Sequence, residues 1–224
     1  MGEQGLFVGI LGGIRSRALT LAKPIHTSFR FQKLKLFEAL VGKPHECSLL
    51  DVGGGLGLFG EFTQLYSSFA NVTVVNILSH RMELPAGSKT GYRVVADGCM
   101  LPFCARAFDW VFSNAVIEHV GDWERQNTFA REIRRVARIG YFVATPNKYF
   151  PVEPHTYLPF YQFLPQPWQR RAVRLAPGYM REYEEINLLS AKNVRVLFPE
   201  ARVSHLGFPV LGNNLVAYYK ASSV

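Results

Sequence analysis

Cysteine is scarce in this chain of 224 residues, with only Cys47, Cys99 and Cys104. None stands in a CxxC pair or at a Cys/His spacing that would hold an ion, so no metal is expected. An odd, unpatterned count points to reduced thiols in a cytoplasmic setting rather than to a disulfide framework. Acid is also in deficit: 17 Asp plus Glu stand against 25 Lys plus Arg, a net charge of +8. Such an excess suits anionic substrates, membrane surfaces or nucleic acid, and serves solubility equally well. No apolar run reaches the roughly 20 residues that span a bilayer. The longest glycine-rich apolar stretch near the start, LFVGILGGI (6–14), follows Glu3 and precedes Arg15 and Arg17. That charge order is the reverse of a secretory signal. Leu6 occupies the place where N-myristoylation needs Ser or Thr. Internal repeats and low-complexity tails are missing too.

What is present is the composition of an ordinary globular domain, 48% hydrophobic and 19% charged, in a length that suits one domain with a substantial core. Apolar residues at helical spacing in FRFQKLKLFEALVG (29–42) end at Gly42, which predicts a helix with a glycine stop. CSLLDVG (47–53), NVTVVNIL (71–78), YRVVAD (92–97), FDWVFSN (108–114) and GYFVATPN (140–147) read as strands. Between them, 57–69 and 122–138 read as helices, the second capped by Asp122. Ser190 caps a further helix, and ARVSHLGF and NNLVAYYK make two last strands. Strands alternating with helices predict a parallel α/β sheet with helices on both faces. Ligands of such sheets sit beyond the C-terminal strand ends, where Asp51, Asn76, Asp97 and Asn114 all fall. Four segments follow: a basic and apolar N-terminal piece with one helix (1–46), the core (47–147), a proline- and aromatic-rich insertion (148–184) and the completion of the sheet (185–224).

The segment LLDVGGGLGLFG (49–60) satisfies two nucleotide patterns at once. Gly55-x-Gly57-x-x-Gly60 fits a dinucleotide turn, and Asp51-x-Gly53-x-Gly55-x-Gly57 fits a pattern with an acid built in. Glycines there let backbone N–H groups approach a ligand at a helix N-terminus. Asp51 is the discriminating residue. A buried carboxylate needs a cation or donors, which suits an aminoacyl ammonium and not a pyrophosphate. Asn76 stands near where a ribose-binding acid is expected; it can bond hydroxyls, or simply turn the chain. Asp97 can accept from an exocyclic amine while the N–H of Cys99 donates to a ring nitrogen, although Asp-Gly turns also occur without ligands.

Taken in order, LLDVGGGLGLFG, VVADGCMLPF, AFDWVFSNAVIEHV and FAREIRRVARIGYFVATPN resemble the successive motifs of class I S-adenosylmethionine-dependent methyltransferases, over roughly residues 47–147. A weaker likeness continues in NLLSAKNVRVLFPEARV. The resemblance implies a Rossmann-like seven-stranded sheet, mostly parallel with its last strand antiparallel. It also implies S-adenosylmethionine as cofactor, with Asp51, Gly53, Gly54, Gly55 and Gly57 around the methionine moiety. Asn76 and Ile77 fall at the ribose, Asp97, Gly98 and Cys99 at adenine, and Asn114 near the sulfonium. The family usually has Asp or Glu where Asn76 stands. The insertion TPNKYFPVEPHTYLPFYQFLP (145–165) is similar to bacterial enzymes associated with surface-glycan or lipid-linked metabolism.

Methyl transfer is a displacement that alignment alone can accelerate, and oxygen acceptors gain from a base near neutral pKa, which favours histidine. His119, just past the fourth strand, and His155, beside Glu153 in the insertion, are the two candidates. His119 has the alternative of organising its loop with Glu118 as partner, and His155 is expected to be the more open to substrate. The insertion's aromatics (Tyr149, Phe150, Tyr157, Phe160, Tyr161, Phe163, Trp168) either line an apolar cavity, dock on lipid or pack as core. Arg170, Arg171 and Arg174, with Arg15, Arg17, Lys23, Arg30, Lys33 and Lys35, suggest a surface for anionic lipid or a phosphorylated carrier. Arg131, Arg134, Arg135 and Arg138 read as the solvated face of a helix. The leading expectation is an O-methyltransferase for a small-molecule, glycan or lipid-linked acceptor, with an oligomeric state the sequence leaves open. A nicotinamide-dependent oxidoreductase and a methyltransferase-like binding subunit are the alternatives. Nucleic acid is not expected as substrate, because Ser113-Asn114-Ala115-Val116 stands where an amine-recognition tetrapeptide would.

Overall fold

The computed structural model describes residues 31–54, 63–78, 91–176, 180, 182–208 and 211–222. The glycine loop beyond Gly54, with Gly55, Gly57 and Gly60, lies outside these residues, as do Arg15, Arg17, Lys23 and Arg30.

A seven-stranded sheet organises the chain in the order β3-β2-β1-β4-β5-β7-β6. Its strands are β1 (Ser48–Val52), β2 (Asn71–Asn76), β3 (Gly91–Val95), β4 (Phe108–Asn114), β5 (Ala137–Pro146), β6 (Arg202–Leu206) and β7 (Asn214–Lys220). The pairs among β1 to β5 are parallel, while β7 runs antiparallel to both β5 and β6. The expected single antiparallel last strand is therefore present. Strand order reverses between β1 and β4, and that places the switch-point crevice at Val52–Gly54 and Asn114–Val116.

Each buried strand alternates its side chains between two helical layers. Leu49, Trp110 and Phe112 face one layer together with Phe142. There α1 (31–41) inserts Phe37, which contacts the rings of Phe69, Trp110, Phe112 and Phe142. Leu50, Val52 and Val111 face the other layer, where α3 (Trp123–Val136) and α5 (Ala191–Leu197) contribute Phe129, Ile133, Val194 and Leu197. The caps are the expected ones. Asp122 accepts from the Arg125 N–H at 3.0 Å, Ser190 and Asn193 form a reciprocal capping box, and Gly42 ends α1 with φ +79°.

Some boundaries move. α3 stops at Val136 and β5 begins at once with Ala137, so Arg138 lies on a strand and not on a helix. The arginine row is also not simply solvated. Arg134 bonds Glu200, Arg135 braces the 101–103 loop through the carbonyls of Leu101 and Phe103, and Arg138 clamps the buried Asp109. Periodicity registers a polar face but cannot see partners brought from elsewhere. Of the helix expected over 57–69, the described part is α2 (Thr63–Ser68).

The insertion is ordered around its own small core of Tyr161, Val173 and Met180. A bridge joins Val152 to Pro159, and a short helix, α4, runs from Gln166 to Ala172. Its aromatics divide: Tyr161 is core, Phe150 and Tyr157 are half-buried, and Tyr149, Phe160, Phe163 and Trp168 are exposed. Among the described residues no helix is long and apolar enough to cross a membrane.

Candidate cofactor and acceptor site

At the carboxyl end of β1, Asp51 is flanked by Val74 of β2 and Phe112 of β4, and only 4% of its surface is exposed. The buried Tyr66 hydroxyl of α2 donates to its Oδ2. One neutral donor does not compensate for the loss of water, so burial pushes the carboxyl up to about 7, with Tyr66 opposing. The chain then turns sharply. Gly53 has φ +82° and packs where a Cβ would enter Val116, and a Cβ on Gly54 would run into the Asp51 carboxylate. Glycine is required at both positions by close approach, not by flexibility alone. Ser113 of β4 ties this end together by donating to the Val52 carbonyl at 2.9 Å.

These features fit the aminoacyl end of S-adenosylmethionine. A buried, poorly compensated acid sits beside a cradle that any side chain would fill. Asp51 would hold the ammonium, and Gly53 and Gly54 leave room for the backbone to approach it.

The neighbouring residues expected at the cofactor are brought to the same edge, but several have partners within the protein. The Asn76 amide donates to the carbonyls of Gly54 at 3.1 Å and Gly53 at 3.3 Å, and its oxygen accepts from the Leu78 N–H. It therefore braces the glycine turn. Ile77 follows it, exposed, at the strand end. Asp97 accepts from the Cys99 N–H at 2.8 Å and from Arg125 of α3 at 2.7 Å. Partial burial would raise its carboxyl, but these donors outweigh that and hold it below the ordinary range. Gly98 is needed there because a Cβ would meet the Phe129 ring.

Asn114 has a partner that the sequence reading placed elsewhere. Its Oδ1 accepts from the Lys33 ammonium at 2.6 Å. Lys33 is 6% exposed, so it belongs to the interior of this edge and not to a basic surface. Helical spacing assigned it correctly to α1 but gave no signal for the long-range contact.

Past β4, a short turn (Ile117–His119) carries Glu118 inward and His119 outward. The turn is fixed from both sides: Gln126 of α3 donates to the Ile117 carbonyl, and the Asn187 N–H donates to the Glu118 carbonyl. Glu118 is fully buried. Its Oε2 accepts from the Thr145 hydroxyl of β5 at 3.0 Å, and its Oε1 has no hydrogen-bond partner. Glu118 is not the partner of His119, as the sequence suggested; His119 Nδ1 lies 3.3 Å from Glu184 instead.

His155 arrives from the insertion and packs edge-to-face on His119, with ring centroids 5.1 Å apart. It is 4% exposed, so of the two histidines it is the enclosed one, contrary to expectation. Its Nδ1 bonds the buried Glu153, which also accepts from the N–H groups of His155 and Thr156 and from the Thr156 hydroxyl. Burial would raise the Glu153 carboxyl, but these bonds hold it below its usual range. Burial would lower the His155 pKa, and Glu153 more than reverses this. Glu118, His119 and His155 thus converge, each offering a ligand atom within 4.8 Å of the others.

Comparison with known proteins agrees with this layout. Residues 50–144 match the model of a methyltransferase domain. A search of curated proteins gives no match. Among solved structures, magnesium protoporphyrin IX methyltransferase from Synechocystis PCC 6803 superposes with a TM-score of 0.59 at 14% identity, over 94% of both chains. A SAM-dependent methyltransferase from Methanosarcina mazei gives 0.52 at 19% identity, over 78% of this chain and 92% of that one. The N-methyltransferase NodS from Bradyrhizobium japonicum WM9, in complex with S-adenosyl-L-homocysteine, gives 0.55 at 11% identity, over 87% of both. Residues 50–144 are thus similar to a methyltransferase domain, and the seven-stranded sheet has the Rossmann-like fold of these solved methyltransferases.

Proposed function

We propose that the chain methylates a hydroxyl of a small-molecule, glycan or lipid-linked acceptor, and that the acceptor gives up its proton at the Glu118–His119–His155 cluster. When bound at the Asp51 turn, S-adenosylmethionine supplies a methyl carbon on positive sulfur, which an oxygen nucleophile takes while the C–S electron pair stays with sulfur. Asp51 anchors the aminoacyl end, and Gly53 and Gly54 keep the approach clear. Lys33 fixes the Asn114 side chain at the end of β4.

The observation that carries the reading is the buried Glu153–His155 pair at the acceptor end of the sheet. Glu153 bonds Nδ1 and so fixes the ring and its tautomer, with the proton on Nδ1 when the ring is neutral. A positioned base of this kind contributes roughly 10²–10⁴-fold. The exposed aromatics Tyr149, Phe160, Phe163 and Trp168 border the same insertion, beside Arg170, Arg171 and Arg174. That combination of apolar and basic groups supports a lipid-linked acceptor met at an anionic membrane surface.

Transfer of labelled methyl from S-adenosylmethionine to a panel of hydroxyl and amine acceptors, with and without anionic vesicles, tests the reading. O-methyl product whose formation rises with vesicles supports it, and N-methyl product alone contradicts it. One observation favours a binding subunit instead, namely that Asn76 and Asp97 are both engaged within the protein; failure of every cofactor to bind would select that alternative.

A further inference from the structure

We propose that Glu118, His119 and His155 form a binding site for one divalent ion of the zinc class, with Glu153 and Glu184 as its outer carboxylates. Two imidazoles and one carboxylate are the donor set of zinc and its first-row neighbours, whereas magnesium and calcium favour all-oxygen sites. The ligand atoms already lie within 4.8 Å of one another. Tetrahedral ligands at zinc bond lengths stand about 3.3 Å apart, so closure needs no more than about 1.5 Å, which the outward-facing His119 can supply by turning.

Two independent features point to an ion and not to a chance grouping. Glu118 Oε1 is a buried carboxylate oxygen with no hydrogen-bond partner, while its sister oxygen is fixed by Thr145. Such an atom is costly to bury unless something positive reaches it. Both rings also have Nδ1 turned to a carboxylate: His155 to Glu153, and His119 to Glu184 at 3.3 Å. An outer carboxylate on one ring nitrogen is the usual way a histidine is oriented to give the other nitrogen to a metal.

Three protein ligands leave a tetrahedral ion one open position. A hydroxyl bound there loses its proton at far lower pH than in water; for zinc-bound water the fall is from about 15.7 to about 7. With the ion in place His155 and His119 act as its ligands and not as bases, so the ion takes over the acidifying role that the methyl-transfer reading above gives to His155. That use rests on the reading, but the site itself does not.

The test uses the full chain after chelator treatment, titrated calorimetrically with Zn²⁺ and followed by visible absorption with Co²⁺. One equivalent should bind, with tetrahedral-type Co²⁺ absorption. His119→Ala and Glu118→Gln should weaken binding by at least about tenfold, and Glu153→Gln by about 10–100-fold. His45→Ala, at an exposed site elsewhere, should leave it unchanged. His119 faces outward, so its variant is expected to fold even if the buried substitutions do not. No saturable binding, or equal affinity in wild type and His119→Ala, overturns the proposal. S-adenosylmethionine binding is measured on the same samples. Zinc without S-adenosylmethionine keeps the site and removes the methyl-transfer reading, and the reverse keeps methyl transfer and removes the site.

Discussion

Two buried acids at the carboxyl edge of one sheet are held in opposite ways. Asp51, at the end of β1, has the Tyr66 hydroxyl as donor, and burial pushes its carboxyl up to about 7. Glu153, past the end of β5, is equally enclosed yet stays below its ordinary range, because two backbone N–H groups, a hydroxyl and an imidazole all donate to it. Desolvation is common to both, so the difference lies in donors. Glu153 is a satisfied acid whose work is to orient His155. Among the described residues Asp51 has the Tyr66 hydroxyl as its donor, and a ligand ammonium is the partner that the proposed function assigns to it.

The largest expected break in this comparison comes at the satisfied end. His155→Ala should lower kcat/KM by about 10²–10⁴-fold while leaving cofactor affinity intact, as read by steady-state kinetics beside calorimetry. At the other end the effects reverse. Asp51→Asn should weaken S-adenosylmethionine by about 10–100-fold, the worth of a charge-assisted bond at about 1.5–3 kcal/mol, without unfolding the chain. Gly54→Ala pushes a methyl into the Asp51 carboxylate and should cost about 1–3 kcal/mol in stability or binding, read by denaturation and by cofactor titration.

The smallest effect is on pH dependence. Asp51 has a folded pKa above its unfolded one, so between about pH 4 and about 7 the folded chain holds a proton that the unfolded chain has released. Stability therefore falls as pH rises across that window and levels off above it. Asn cannot ionise, so the Tm of Asp51→Asn should gain on wild type from about pH 5 to about pH 8. Pairing with an ammonium would ionise Asp51. Cofactor binding near pH 6.5 should thus release a proton, visible as a dependence of binding heat on buffer, and should tighten as pH rises through about 7.

The two ends were also unequally legible in the sequence. Asp51, Asn76, Asp97 and Asn114 stand within two residues of a strand end, where a continuous apolar run gives way to polar residues or glycine. That is why these four residues could be placed on one edge of the sheet from the sequence. Their partners were not visible. The Lys33 contact with Asn114, the Arg125 contact with Asp97 and the Tyr66 contact with Asp51 each join residues from different elements, and no local period records such a meeting. The acceptor end depended on it entirely. Glu118, His119 and His155 come from two separate loops, and their convergence follows from the β4–β5 pairing and the packing of the insertion, neither of which has a spacing signature. His155 was assigned to an open lid because its neighbours are prolines and aromatics; in fact Glu153 and Thr156 form a closed turn that takes the ring inside.

The central claim is that Asp51 marks a site for an aminoacyl ammonium and not for a pyrophosphate. Calorimetry of the full chain with S-adenosylmethionine, S-adenosylhomocysteine and NAD side by side tests it most directly. Binding of the first two, weakened together by about 10–100-fold in Asp51→Asn, with no heat from NAD, is the predicted result; binding of NAD alone would contradict it.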